Sequence, residues 1–79
     1  MQRDKRVLLS VNNEDASHCV DIFVRAEGTF GFEEYRRDVE DNAGWFTTGG
    51  YAAQTFADEA SAIEAAKLTI PWLTGMLPG

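Results

Sequence analysis

The chain contains one cysteine, Cys19, among its 79 residues. No disulfide can close within it, whereas a secreted domain this small normally relies on several. The expected compartment is therefore the cytoplasm. Basic residues are also scarce, seven against thirteen acidic, for a net charge of −6. A nucleic-acid surface needs a basic stripe to neutralise phosphates. The only basic clusters, Arg3/Lys5/Arg6 and Arg36/Arg37, are interrupted or flanked by Asp4, Glu33, Glu34 and Asp38. Nucleic acid is thus not an expected partner. Long apolar runs are missing as well. After the charged residues 1–6 comes only Val7-Leu8-Leu9, which falls short of a signal peptide's apolar segment and of a membrane span. No membrane association is expected.

What the chain does have is enough apolar material to fold. It is 44% hydrophobic and 11% aromatic, a richer mixture than disordered chains carry. Its length implies a single domain, 1–79, with an ordered core over about 18–75 and flexible residues at 1–6 and 77–79. A domain this short buries only about 60% of its unfolded surface, so the core must be thin.

Residues 7–11 form a short apolar run and a candidate first strand, followed by a polar loop over 12–15. Residues 19–27 alternate, with Val20, Ile22, Val24 and Ala26 on one face and Cys19, Asp21, Phe23, Arg25 and Glu27 on the other. That period of two predicts a half-buried strand. Glu27-Gly28-Thr29 is a turn, with Gly28 free to take positive φ. The next strand runs from Phe30 to about Glu40. Its phase is mixed, because Phe30 and Phe32 share one parity and Tyr35 and Val39 the other. Either a bulge near Glu33-Glu34 absorbs the change or both faces carry aromatics. Asp41-Asn42-Ala43-Gly44 reads as a turn and 45–48 as a further strand. Gly49-Gly50 makes a kink, and 51–56 reads as a short extra strand. Asp58 then caps a helix rich in alanine, with Glu59 in its first turn. Ile63, Ala66, Ile70 and Leu73 form its core stripe. Pro71 ends or kinks that helix at Ile70 and can open a further helical turn, with Gly75 as terminator. The predicted fold is α+β, a three- to four-stranded antiparallel meander with one C-terminal helix packed on one face.

The chemistry-bearing residues point away from catalysis. His18 and Cys19 are neighbours, but on a strand adjacent side chains face opposite ways. Neither has a second Cys or His to complete a zinc site. Glu33, Glu34, Asp38, Glu40 and Asp41 are dense, yet they lack EF-hand spacing and enclose Arg36 and Arg37, a pattern expected of cross-strand ion pairing. Gly44, Gly49 and Gly50 precede no Lys-Ser/Thr and read as turn glycines. No catalytic residue, metal or cofactor is therefore expected. The aromatics carry the stronger signal. Phe23, Tyr35, Trp45, Tyr51 and Trp72 exceed what one helix-covered face absorbs, and together they form the candidate interaction surface. The expected role is a non-enzymatic protein-interaction or self-association module that uses the sheet face left uncovered by the helix.

Two resemblances accompany this reading. The segments Cys19-Val-Asp-Ile-Phe, Gly28-Thr-Phe-Gly-Phe-Glu-Glu-Tyr-Arg-Arg-Asp, Gly44-Trp-Phe, Phe56-Ala-Asp-Glu-Ala and Pro71-Trp-Leu resemble short uncharacterised bacterial proteins. Those pair a small antiparallel sheet with a C-terminal helix, and the likeness, over about residues 18–75, implies a fold and no activity. The junction Phe56-Ala-Asp-Glu-Ala-Ser-Ala-Ile-Glu-Ala-Ala-Lys, with Trp72-Leu73 after it, is similar to HicB-type antitoxin domains. That likeness implies the alternative role, an antitoxin-like acidic partner of a basic protein. The family's Pro-Gly-Cys segment before the helix is missing here, as is its DNA-binding extension.

The helix stripe has a direct test. Ile63→Asp is expected to lower the melting temperature strongly, by placing an unpartnered charge in the core. An unchanged melting temperature would mean that the stripe lies elsewhere.

Overall fold

A computed structural model describes residues 5–37 and 44–76. Strands β1 (Lys5–Asn12), β2 (His18–Arg25), β3 (Phe30–Arg36) and β4 (Phe46–Thr47) form one antiparallel sheet in the order β1-β2-β3-β4. Helices α1 (Glu59–Thr69) and α2 (Pro71–Met76) follow. The α+β meander expected from the pattern is the fold observed. Lys5 and Arg6, expected in a flexible tail, instead pair with Arg25 and Val24 as the first rungs of the sheet. The expected flexibility of residues 77–79 concerns positions outside the described residues.

The alternation in β2 sorts the sheet into two faces. Val20 and Ile22 are buried on the helix side, and Phe32 of β3 lies beside Ile22. The register between β2 and β3 runs without a shift from His18↔Arg36 to Val24↔Phe30. No bulge sits at Glu33-Glu34, so the mixed parity of β3 means that both faces carry aromatics. The irregularity lies in β1, between Val7 and Leu9. It resets the phase there. Leu9 and Val11 pack against the core, while Val7, opposite Phe23, remains 48% exposed. β2 itself stops at Arg25, because Gly28 (φ 95°) closes a turn in which the Gly28 N–H donates to the Arg25 carbonyl at 2.9 Å. β3 is described to Arg36, and positions 38–43, including Val39, Glu40 and most of the expected turn at 41–44, lie outside the described residues.

Residues 51–56 do not form the expected extra strand. Tyr51–Ala53 make a single 3-10 turn, and Phe56 forms one isolated bridge to Phe30. The cause is a buried carboxylate. Glu33, 4% exposed, accepts from the Tyr51 N–H at 3.0 Å and the Ala52 N–H at 3.4 Å. Backbone donors that a strand would spend on a neighbour are satisfied by this side chain instead. Gly50 enters the turn at φ 66°, a conformation that costs glycine little.

α1 begins where expected. Asp58 takes an extended backbone, and its Oδ1 accepts from the Ser61 N–H at 2.7 Å. The helix is rotated slightly from the expected stripe. Ala62, Ala66, Ile70 and Leu73 are buried with Val20, Ile22 and Phe32, whereas Ile63 is half-buried at the margin. Two alanines at i and i+4 let the helix backbone lie close to β2 and β3, which a larger residue at 62 would prevent. Ile70 ends α1, its N–H donating to the Ala66 carbonyl at 2.8 Å, and Pro71 opens α2. Gly75 lies within α2 and does not terminate it. Leu68 points to solvent at 81% exposure.

Ala66→Asp should therefore cost roughly 3 kcal/mol or more, since it buries an unpaired charge. Leu68→Asp should stay within about 0.5 kcal/mol of the parent. Chemical denaturation of both variants checks the rotation of the helix, and similar losses would contradict it.

Candidate functional site

The face turned away from the helices is built from alternate residues of every strand. Lys5, Val7, Ser10 and Asn12 stand opposite Arg25, Phe23, Asp21 and Cys19 in β2. Gly31, Glu33 and Tyr35 of β3 continue the rows opposite Phe23, Asp21 and Cys19, and Thr47 of β4 lies opposite Tyr35. The two ends of this face differ.

At one end, cations roof a ring. Phe23 is 1% exposed although no helix covers it. Lys5 Nζ lies 4.5 Å from its ring centroid and Arg25 Cζ 4.9 Å. Arg25 is held in place by Ala52 O, by Gln54 O at 3.3 Å and by Phe30 O at 3.3 Å. Gly31 makes room for the ring, because a Cβ there would lie 2.9 Å from Phe23 atoms. Phe23 thus offers no exposed ring to a partner.

At the other end the face stays open. Ser10, Asn12, Cys19, Asp21, Tyr35 and Trp45 line a concavity of about 400 Å³. The Ser10 hydroxyl donates to Asp21 Oδ1 at 2.7 Å. Cys19 Sγ lies 3.2 Å from Ser10 Oγ and donates to Asp21 Oδ1 at 3.5 Å. Burial pushes the Cys19 thiol above its ordinary pKa, and the charge of Asp21 pushes the same way. The Tyr35 hydroxyl is raised by burial too, with Asp21, Glu33 and Cys19 adding to the effect. Trp45 is 43% exposed, and Arg37 Cζ lies 4.8 Å from its ring. The Arg37 Nε–H in turn donates to the Ala16 carbonyl at 3.2 Å.

Tyr51 and Trp72 belong elsewhere. Tyr51 stacks on Phe32 with centroids 5.4 Å apart, and both Tyr51 and Trp72 pack against the helix-side core. The Trp72 indole N–H donates to Glu34 Oε2 at 2.9 Å, at the rim of the sheet. Of the five aromatic residues singled out by sequence, only Tyr35 and Trp45 share one accessible site.

The remaining candidates resolve similarly. His18 faces away from Cys19, with its ring 6.3 Å from that of Trp72 and its Nδ1 3.0 Å from Ser17 Oγ. The carboxylates serve as acceptors: Glu33 for the 3-10 turn, Glu34 for Trp72 and for the Thr48 hydroxyl at 2.9 Å. Arg36 lies over Phe46 at 5.3 Å. Asp38, Glu40 and Asp41 lie outside the described residues. Among the described residues no group of three or more His, Cys, Asp or Glu is placed to hold a metal. No described helix is long and apolar enough to cross a membrane.

Sequence reasoning missed Ser10, Asn12 and Asp21 as site residues. Asp21 was legible as sharing a strand face with Cys19, but the register that brings Ser10 beside it depends on the irregularity in β1. Comparison with family models, with curated proteins and with solved structures returns no match.

The thiol reports on the charge at the site. Asp21→Asn removes the carboxylate that disfavours the thiolate, so the Cys19 pKa should fall. Alkylation by iodoacetamide at a fixed pH below that pKa should then accelerate. A rate–pH profile unchanged by the substitution would mean that burial alone sets the thiol.

Proposed function

We propose that this chain is a non-enzymatic, cytoplasmic protein-interaction module whose working surface is the sheet face left uncovered by the helices. The observation that carries the reading is the open concavity beside Trp45, a tryptophan that remains 43% exposed. Exposed aromatic area framed by polar groups is the usual mark of a contact surface, and tryptophan and tyrosine dominate binding energy where they occur. The single unpaired Cys19 suits a reducing compartment. Nucleic acid and membrane are not the partners in this reading, and no cofactor takes part.

Charge favours a different protein over a second copy. Each copy carries −6, so two copies repel at long range, whereas a basic partner is drawn in. Four cations, Lys5, Arg25, Arg36 and Arg37, already lie over the chain's own rings. This supports the narrower second reading, an antitoxin-like acidic partner of a basic protein.

The test compares proteins captured from native-host extract by the parent chain and by Trp45→Ala, alongside light scattering over a wide concentration range. The expected result is a specific captured protein that is lost with Trp45→Ala while the variant keeps its parent melting temperature. A dimer abolished by Trp45→Ala would assign the face to a second copy. A strict monomer whose captured set ignores the substitution would overturn the reading.

A further inference from the structure

We propose that the concavity lined by Ser10, Asn12, Cys19, Asp21, Tyr35 and Trp45 is a subsite for one arginine side chain projecting from the partner. The inference rests on the interaction reading above and names the chemistry that the face selects. Asp21 supplies the carboxylate, and among the described residues its hydrogen-bond partners are neutral, the Ser10 hydroxyl and the Cys19 thiol. Tyr35 and Trp45 line the same concavity. A carboxylate next to aromatic rings matches a guanidinium, which is planar, weakly hydrated and able to stack and hydrogen-bond at once.

Three further observations agree. The volume, about 400 Å³, holds one long side chain. The raised Cys19 and Tyr35 groups both sense the negative charge of Asp21, a field that a cation would relieve. The same face already uses guanidinium–ring contacts within the chain: Arg37 on Trp45 at 4.8 Å and Arg25 on Phe23 at 4.9 Å. A ring has two faces, and Arg37, tethered to the Ala16 carbonyl, uses one face of Trp45.

The experiment titrates isotope-labelled protein with N-acetyl-arginine methylamide and, separately, with its uncharged citrulline counterpart. The expected result is saturable shifts confined to Ser10, Cys19, Asp21, Tyr35 and the Trp45 indole, with no response to citrulline. Asp21→Asn should weaken binding roughly tenfold or more, the usual worth of a charge-assisted contact. Glu59→Gln, which removes an equal charge from the helix, should leave it unchanged. If Asp21→Asn disturbs the fold, Trp45→Leu provides the parallel test and should weaken binding by a similar factor. Shifts scattered over the acidic surface, equal response to citrulline, or equal losses in Asp21→Asn and Glu59→Gln would overturn the proposal. A partner captured by the parent, lost with Trp45→Ala and retained by Asp21→Asn would remove this subsite while leaving the interaction reading in place.

Discussion

Everything in this fold depends on the close approach of α1 to the β2–β3 pair. Ala62 and Ala66 present almost no side chain, so the helix settles directly onto Val20, Ile22 and Phe32, and Ile70 and Leu73 close the end. Each fully buried large apolar side chain contributes about 1.5–3 kcal/mol, and few of them are available in 79 residues. One helical layer on one side of one sheet is what that supply sustains. The uncovered face follows from this economy.

That face is stabilised by a different chemistry. At the β1–β2 end, charged side chains lie along a ring that would otherwise meet water, their stems apolar and their heads attracted to the π-face. Glu33 anchors the segment after β4 by taking two of its backbone donors, and this places the Ala52 and Gln54 carbonyls where Arg25 finds them. The buried carboxylate, the 3-10 turn and the roof over Phe23 therefore form one connected unit. It ends short of Trp45, where the face becomes concave and accessible. The binding surface proposed here is the part of the face that this unit does not reach.

The sequence made some of this legible, and the divisions have physical causes. The faces of β2 were readable because alternation is local, and Asp58 was readable because a cap bonds three residues away. The helix stripe was nearly right. Ala62 and Ile63 are adjacent, and closeness to the sheet, a tertiary effect, decides that the smaller one points inward. The phase of β1 was hidden because Val7-Leu8-Leu9 is apolar throughout, so no alternation marks the irregularity. The segment 51–56 reads as a strand locally and fails to be one because Glu33, eighteen residues earlier, satisfies its donors. Phe23 was expected at the surface because its cover comes from Lys5 and Arg25, residues ordinarily counted as solvent-facing. The concavity itself needs register across β1, β2 and β3, which no local pattern encodes.

The central claim is that one sheet face is sealed by helices and the other carries an accessible aromatic and acidic site. Paramagnetic relaxation by a neutral soluble gadolinium chelate measures this residue by residue. Strong relaxation is predicted at the Trp45 indole and at Ser10, Cys19 and Tyr35, with protection of Val20, Ile22, Phe32, Ala66, Leu73 and also Phe23. Protection of Trp45 and its neighbours equal to that of Ile22 and Phe32 would contradict the account.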